Sequence, residues 1–347
     1  MNRATPEQPV TAFYLDAKYK DHRREYAYPA GASRNAIENW RRALTGELRR
    51  VFTLNDLGTP PVPRIQVLRE TQEACYTRQL IAYEVMDGNW VQAYLLLPEK
   101  RPAPAALCLH GHFMGGKDSV VFADKAAGVA FGHELAARGV AVLAPDIAGL
   151  AARGQWGSNT RDVPLTYCIP PREGGCELLF RRLNHMGIDI TGFRVFELMA
   201  AINMLEAMPE GIVDTSGGIG CAGLSGGCWL TQVLTAMDGR IRASILSGYF
   251  TTFTQTAWLG HCVCHHPFGI GNLCDMPDLT ALATPKPQFV EAGSEDINYP
   301  VEPALSQAMS AYKDMQAERE FHFHLFNGGH RFDGTRSIPW LSELLLK

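Results

Sequence analysis

The sequence has no hydrophobic run long enough to cross a membrane and no strong excess of charge of either sign. No segment approaches about eighteen uninterrupted apolar residues, so a membrane is not expected as a partner. The 32 Lys and Arg residues and the 36 Asp and Glu residues give a formal net charge of −4. Because the basic residues are also dispersed along the chain, a nucleic-acid-binding surface is not expected. The sequence shows no internal repeat and no low-complexity segment.

The sequence also lacks the regular cysteine spacing of a disulfide framework. Its nine cysteines are scattered, and we expect most of them to be reduced and buried as small hydrophobic residues. Residues 1–9 are polar and lack the basic and then apolar order of a signal peptide. Together these features predict a cytoplasmic protein.

Strand-like and helix-like patterns alternate over most of the 347 residues. An amphipathic helix is predicted after Ser33, and a hairpin around Asp87 and Gly88. From residue 105 onward, short apolar runs alternate with helical periodicity, which predicts an α/β fold with a mostly parallel central sheet and helices on both faces. We predict an N-terminal helical extension and linker over 1–74 and an α/β domain over 75–347, interrupted by irregular segments near 149–192 and 249–287.

The pentad Gly-Leu-Ser-Gly-Gly at 223–227 is the most informative motif. An apolar run that includes Ile219 and Cys221 precedes it, and helical spacing follows it. A serine on a sharp strand-to-helix turn is exposed for nucleophilic attack, and the flanking glycines allow the close backbone approach that the turn requires. Ser225 is therefore predicted to be a nucleophile, in preference to a serine in an ordinary glycine-rich turn.

An acid and a base follow Ser225 in the chain, each in a loop after a predicted strand. Enzymes with a nucleophilic serine on such a turn place the acid and then the histidine after the serine. Asp296 follows the run 288–292, and His330 follows the run 321–326 behind two glycines. We predict that His330 accepts the serine proton and that Asp296 fixes the imidazole tautomer. Glu295 and Glu291 stay open as alternatives to Asp296.

Two backbone N–H groups are predicted to form an oxyanion hole. One belongs to Gly226, directly after the nucleophile, and the other to His112, in the loop after the first central strand. His110, in the same loop, is interpreted as a buried structural histidine. Asp146, at the end of a later strand, is interpreted as a structural loop anchor, and Asp118 either ties down the loop that carries His112 or is a solvated turn or cap residue. Four aromatic residues are candidate substrate-binding residues: Phe113, Trp156, Trp229 and Tyr249.

The run His-Cys-Val-Cys-His-His at 261–266 has the residue types of a zinc site. Structural zinc sites usually draw on two separated ligand pairs, whereas these residues crowd into one run with only Cys274 nearby. We therefore favour a role in the cleft wall over a metal site, and we expect neither a metal nor a cofactor.

These motifs resemble those of the α/β hydrolase superfamily, and within it the acetyl xylan esterase, dienelactone hydrolase and prolyl-oligopeptidase-like branch. The resemblance runs from about residue 79 to the C-terminus and rests on His110-Gly111-His112, Gly115-Gly116-Lys117-Asp118, Ala144-Pro145-Asp146, the pentad at 223–227, Pro285-Lys286-Pro287 with 291–296, and Gly328-Gly329-His330. It implies cofactor-free hydrolysis of carboxylic esters with Ser225, Asp296 and His330 as the triad. Many relatives carry Arg in place of Lys286 and Asp in place of Asn203.

The expected function is hydrolysis of small acyl esters, of the acetyl-ester kind, through an acyl-enzyme. The alternatives are a lactone or carbon–carbon bond hydrolase or a prolyl-oligopeptidase-like peptidase on the same triad, and lastly a non-catalytic binding protein on the hydrolase fold. The expected partner is a small-molecule ester. The N-terminal helix, with Trp40, either covers the cleft or forms the interface of a homodimer.

Overall fold

The structure is a computed structural model that describes residues 14–15, 18–19, 22–112, 115–154, 174–258 and 261–347. Within these residues, ten strands form one sheet. They are β1 (Ile65–Gln72), β2 (Tyr76–Met86), β3 (Asn89–Pro98), β4 (Ala103–Leu109), β5 (Ala141–Pro145), β6 (Val213–Asp214), β7 (Ile219–Leu224), β8 (Ile241–Ser247), β9 (Gln288–Gly293) and β10 (Phe321–Phe326).

The sheet is antiparallel at one end and parallel over the rest. Its order is β1-β2-β3-β5-β4-β7-β8-β9-β10, and the short β6 pairs with β4. The pairs that involve β1, β2 and β3 are antiparallel, whereas β5, β4, β7, β8, β9 and β10 run parallel to their neighbours among themselves. Because the parallel strands all end at the same edge, the loops that follow them are brought together there.

Helices cover both faces of the sheet. They are α1 (Arg34–Val51), α2 (Leu54–Leu57), α3 (Asp118–Val121), α4 (Phe131–Ala137), α5 (Gly174–His185), α6 (Ile190–Glu206), α7 (Gly226–Met237), α8 (Phe253–Trp258), α9 (Ile270–Leu273), α10 (Met276–Ala283), α11 (Ala304–Asp314) and α12 (Ser337–Leu345). Short 3-10 turns lie at Ala123–Lys125, Ala151–Gly154, Val263–His265 and Glu318–Glu320. None of the described helices is both long and apolar enough to span a membrane.

Alternate side chains of the central strands enter different hydrophobic cores. In β4, Leu107 and Leu109 join the core beneath α1, α6 and α7, whereas Ala106 and Cys108 join the core beneath α4 and α12. Successive side chains of a strand point to opposite faces, so a strand with two covered faces is apolar throughout. The predicted α/β fold is confirmed.

The N-terminal helix α1 is part of the first of these cores. Its buried side chains include Ile37, Leu44 and Leu48, which recur at helical spacing, and the Oγ of Ser33 accepts a hydrogen bond from the N–H of Ala36. The Nε1–H of Trp40 donates to the Tyr26 carbonyl at 2.9 Å. The predicted helix and its cap are confirmed.

The structure differs from the sequence prediction in three segments. Strand β1 lies before residue 75, inside the predicted extension and linker, and pairs with β2. Helix α5 occupies part of the irregular segment 149–192, and three short helices occupy parts of 249–287. Short helices carry too few turns for their periodicity to be recognised. Helix α10 begins instead with a local signal, a capping box formed by Asp275 and Asp278.

Candidate active site

Ser225 occupies a sharp turn between β7 and α7. Its backbone has φ 58° and ψ −119°, a left-handed conformation that is strained for a residue with a side chain. The Ser225 N–H donates to the Ser247 carbonyl at 2.9 Å, which ties the turn to the end of β8. The elbow that the pentad predicts is present.

The glycines on either side of Ser225 are required by close backbone contacts. A Cβ atom at Gly223 would lie 2.2 Å from the Gly227 carbonyl oxygen, and one at Gly227 would lie 1.9 Å from the Leu109 carbonyl oxygen. Real Cβ atoms do not approach other atoms so closely. The two glycines therefore allow α7 to begin directly against the ends of β4 and β7.

Asp296 and His330 meet at the ends of two neighbouring strands. Asp296 follows β9, His330 follows β10, and the Asp296 Oδ2 lies 2.6 Å from the His330 Nδ1. The aspartate side chain is 3% exposed and the histidine side chain 25% exposed. A carboxylate bonded to Nδ1 leaves Nε2 as the nitrogen available for proton transfer.

The His330 ring lies beside the Ser225 elbow. Its Cε1 is 3.2 Å from the position that a Cβ of Gly248 would occupy, and Gly248 directly follows Ser247, which accepts the hydrogen bond from the Ser225 N–H. The predicted nucleophile, base and acid thus occupy adjoining loops at the ends of β7, β8, β9 and β10.

Glu291, one of the alternatives to Asp296, has a different set of partners. Its carboxylate is buried and accepts hydrogen bonds from the Ser247 Oγ at 2.8 Å, the Asp333 N–H at 2.9 Å, the Ser337 Oγ at 2.7 Å and the Gly334 N–H at 3.2 Å. Burial raises the pKa of Glu291 above its ordinary value. These bonds fasten β8 and β9 to the segment after His330, which is a structural role. The other alternative, Glu295, is exposed.

The two residues predicted for the oxyanion hole lie against each other. Gly226 is the first residue of α7, where N–H groups lack an acceptor within the helix and carry its positive dipole. The His112 Nδ1 is 2.8 Å from the position that a Cβ of Gly226 would occupy, so the imidazole packs on the glycine Cα. The structure places both residues beside Ser225.

Buried polar contacts anchor the oxyanion loop, which we define as residues 110–112. The His110 Nδ1–H donates to the Gly111 carbonyl at 2.7 Å, and its Nε2 accepts from the Ile147 N–H at 2.9 Å. Burial lowers the pKa of His110 to about 4, so the ring is neutral at pH 7. Asp146 accepts from the N–H of Lys117 at 2.9 Å and from its Nζ at 2.7 Å. The structural roles predicted for His110 and Asp146 are confirmed.

The predicted substrate-binding residues fall into two groups. Phe113 and Trp156 lie outside the described residues. Trp229 and Tyr249 are both 0% exposed, and the Trp229 Nε1–H donates to the Thr191 Oγ1 at 3.1 Å. With no exposed surface, Trp229 and Tyr249 support the site from beneath it, which corrects their assignment as surface contacts for a substrate.

Two further residues lie beside the predicted site: Tyr299, which the sequence did not single out, and His265, from the run 261–266 that was favoured for the cleft wall. The Tyr299 ring is 5.1 Å from the His330 ring and 5.0 Å from the Tyr249 ring. His265 is 1% exposed, and neither of its ring nitrogens has a hydrogen-bond partner among the described residues. Its Nε2 lies 3.2 Å from the position of a Cβ on Gly226. The only sequence signals were the closeness of Tyr299 to Asp296 and the crowded run at 261–266.

Arg153 forms a largely buried ion pair with Glu197. Its guanidinium donates to both carboxylate oxygens of Glu197 at 2.6 and 2.7 Å and to the Asn89 Oδ1 at 2.9 Å. The pair is largely buried, so it fastens the turn after β5 to α6 and β3.

Three cysteines surround the outer nitrogen of His112. The ligand atoms of His112, Cys176, Cys262 and Cys264 all lie within 4.8 Å of one another, and we call this group the thiol–imidazole cluster. Cys176 comes from α5, while Cys262 and Cys264 come from the segment after α8. The cluster therefore connects the oxyanion loop to both segments that the sequence predicted as irregular.

The fold and the elbow define the class of structure: the chain has the α/β-hydrolase fold. By sequence, no protein-family model and no curated protein matches the chain.

Solved structures do match it. A Bacteroides fragilis protein provisionally assigned as an acetyl xylan esterase is similar over 99% of this chain and 97% of its own, with a TM-score of 0.79 and 15% identity. Methylesterase BT1017 is similar over 95% of this chain and 65% of its own (TM-score 0.65, 20% identity), and a glucuronoyl esterase from Solibacter usitatus over 84% and 88% (TM-score 0.57, 14% identity).

Proposed function

We propose that the protein is a serine hydrolase that cleaves small carboxylic esters through an acyl-enzyme on Ser225. The observation that carries this proposal is the 2.6 Å contact between Asp296 and His330 beside a serine held at φ 58°. A strained elbow and an oriented imidazole at one sheet edge are the arrangement that serine nucleophiles require. The cytoplasmic location predicted from the sequence is part of the same proposal.

In the first half-reaction, the Ser225 Oγ attacks the ester carbonyl carbon while the His330 Nε2 accepts the hydroxyl proton. The carbonyl electrons move to oxygen, and the N–H groups of Gly226 and His112 bind the resulting oxyanion. Asp296 stabilises the imidazolium through its bond to Nδ1. When the carbon–oxygen bond to the alcohol breaks, His330 returns the proton to the leaving oxygen, and the acyl group stays on Ser225.

In the second half-reaction, water replaces the alcohol. His330 accepts a proton from the water as its oxygen attacks the acyl carbon, and the same oxyanion donors bind the second tetrahedral intermediate. Collapse of that intermediate breaks the bond to the Ser225 Oγ, and His330 returns the proton to the serine. The products are a carboxylic acid and an alcohol, and no cofactor is consumed.

We propose carbohydrate esters, with acetyl esters first, as the substrate class. The names of the similar structures include acetyl xylan, methyl and glucuronoyl esterases. A polar side chain beside the predicted base supports a substrate rich in hydroxyls: the half-buried Tyr299 ring lies 5.1 Å from the His330 ring. Burial raises the pKa of Tyr299 to about 12, so its phenol is neutral and able to donate a hydrogen bond.

An ester panel that varies the two halves of the substrate separately tests this proposal. We expect turnover of p-nitrophenyl acetate, faster turnover of acetylated xylo-oligosaccharides, and loss of turnover with longer acyl chains. Methyl and aryl esters of glucuronic acid test the opposite arrangement, in which the sugar supplies the acid. Absence of turnover on every ester, together with absence of Ser225 labelling by a fluorophosphonate probe, would overturn the proposal.

A further inference from the structure

The side chains of the thiol–imidazole cluster take no part in the proposed chemistry, yet they include four groups that metal ions bind. The His112 Nε2 lies 3.3 Å from the Cys264 Sγ and 3.9 Å from the Cys176 Sγ, and the Cys176 and Cys262 sulfurs are 3.6 Å apart. The three cysteines of the cluster form no disulfide. The cluster needs an explanation other than van der Waals packing.

Three separations within the cluster are close to the edge lengths of a zinc tetrahedron. With Zn–S bonds of about 2.3 Å and Zn–N bonds of about 2.0 Å at tetrahedral angles, neighbouring sulfurs lie about 3.8 Å apart and a sulfur and a nitrogen about 3.5 Å apart. The three separations, 3.3, 3.9 and 3.6 Å, all lie close to these values. All four ligand atoms lie within 4.8 Å of one another, which is near enough for one ion to draw them together.

The charge beside the cluster supplies independent support. Arg194 is 2% exposed, and its guanidinium lies 3.1 Å from the Cys176 Sγ. Its other hydrogen bonds go to the Ala148 carbonyl, and among the described residues it forms no salt bridge with a carboxylate. A buried cation needs a negative partner. Three thiolates, a neutral imidazole and a divalent ion carry a net charge of −1, which balances Arg194.

The segments that carry the ligands are held in place by bonds outside the cluster. The Thr191 hydroxyl donates to the Cys264 carbonyl at 3.1 Å, and the Thr191 Oγ1 in turn accepts from the Trp229 Nε1–H. Cys176 lies on α5, which precedes Arg194 on α6. Bonds to α6 and α7 thus hold the segment that carries Cys264 in place, as expected of a preformed site.

We propose that His112, Cys176, Cys262 and Cys264 bind one Zn²⁺ ion in a closed structural site. Soft thiolate ligands favour zinc over calcium or magnesium, and four protein ligands leave no open position for catalysis at the metal. The ion fastens the oxyanion loop to α5 and to the segment 262–264. With Nε2 on the ion, His112 carries its proton on Nδ1, the nitrogen that lies beside Gly226. Only this effect on the oxyanion loop rests on the proposed function.

Metal analysis of the full-length protein, purified without chelator, tests the site directly. We expect one zinc per chain in the wild type and at least about a fivefold loss in Cys176→Ser and Cys264→Ser, since each removes a ligand. Cys75→Ser, at an exposed thiol, and Cys221→Ser, at a buried thiol outside the cluster, are the matched controls and should retain the metal. Zinc below a tenth of an equivalent in the wild type even after incubation with Zn²⁺, or equal zinc in all five proteins, would overturn the site.

Cobalt spectroscopy on the wild type keeps the test independent of how the variants fold. Replacement of zinc by Co²⁺ should produce the thiolate-to-cobalt and tetrahedral absorption bands of a thiolate-rich site. Absence of these bands, or recovery of a disulfide among Cys176, Cys262 and Cys264 by mass spectrometry of the unreduced protein, would count against the proposal. Ser225→Ala separates the two proposals, because it should abolish ester turnover and bind the metal as the wild type does.

Discussion

The two flanks of Ser225 are assembled from different parts of the chain. On one flank, Asp296 and His330 follow consecutive strands of the sheet and meet through one 2.6 Å hydrogen bond. On the other flank, His112 meets three cysteines that come from α5 and from the segment after α8. The first flank is placed by the parallel sheet itself, whereas the second is placed by segments inserted between its elements. The contributions of the two flanks can therefore be separated by experiment.

The largest effect is expected at the residue between the two flanks. Ser225→Ala removes the attacking oxygen, and we expect kcat for p-nitrophenyl acetate to fall by about 10⁴-fold or more, because the remaining groups cannot form an acyl-enzyme. Stopped assays with purified protein and an active-site titration measure this loss. Turnover within tenfold of the wild type would show that another residue attacks the ester.

The next effect distinguishes two carboxylates, Glu291 within β9 and Asp296 after it. Asp296→Asn should lower kcat by about 10³- to 10⁴-fold with little change in folding, because an amide no longer holds His330 in the required tautomer. Glu291→Gln should affect stability more than turnover. Because it turns an amide N–H toward hydrogen-bond donors, it should lower the free energy of unfolding by about 1–3 kcal/mol while kcat stays within a few-fold.

Urea unfolding and steady-state kinetics on both variants give the comparison. If Glu291→Gln abolished turnover and Asp296→Asn did not, the acid of the triad would be Glu291.

An intermediate effect is expected on the flank that contains the thiol–imidazole cluster. Cys264→Ser should lower the free energy of unfolding by about 3 kcal/mol relative to Cys221→Ser, as follows from losing an ion that the folded state binds tightly. Addition of a strong zinc chelator should destabilise the wild type by a similar amount and leave Cys264→Ser unchanged. Equal unfolding curves for the two variants, with and without chelator, would show that the cluster is ordinary packing.

The smallest effect concerns Lys286, which contacts the C-terminal end of α7, the helix that begins after Ser225. Its Nζ donates to the carbonyls of Thr235 and Asp238 at 2.8 Å each, and burial lowers its pKa to about 8. Between pH 8 and about 10.4, the unfolded chain binds more protons at this residue than the folded chain does, so its contribution to stability rises with pH.

Lys286→Arg keeps its charge throughout this range. Between pH 8 and 10, the unfolding free energy of the wild type should therefore rise relative to that of the variant, by about 1–2 kcal/mol. Chemical denaturation of both proteins across that pH range measures the difference. A constant difference, or one that shrinks, would contradict the lowered pKa.

The sequence predicted the flank that the sheet builds. The pentad at 223–227, the loop after β9 and the glycines before His330 are local signals, and each lies at a strand end that apolar runs identify. In a parallel sheet, strand ends converge whatever the details of packing. The predicted roles of Ser225, Asp296 and His330 in catalysis stay predictions that the experiments above test.

The sequence predicted less about the segments inserted into the sheet. The run 261–266 showed metal-binding residue types, but its crowding argued against a zinc site because the other ligands, His112 and Cys176, lie far away in the chain. Trp229 and Tyr249 were selected as aromatic residues near the nucleophile, yet both are fully buried. Sequence position gives nearness along the chain, and burial depends on how loops fold over the sheet.

By itself, the sequence determined the α/β architecture, the elbow and the order of nucleophile, acid and base. These features depend on periodicity and on local backbone requirements, which few residues specify. Only the tertiary structure decided that Asp296 contacts His330 while Glu291 fastens the strands, and that His112 meets three cysteines and a buried arginine. Such choices depend on distances of a few ångströms between segments far apart in the chain, and these are fixed only when the cores on both faces of the sheet pack.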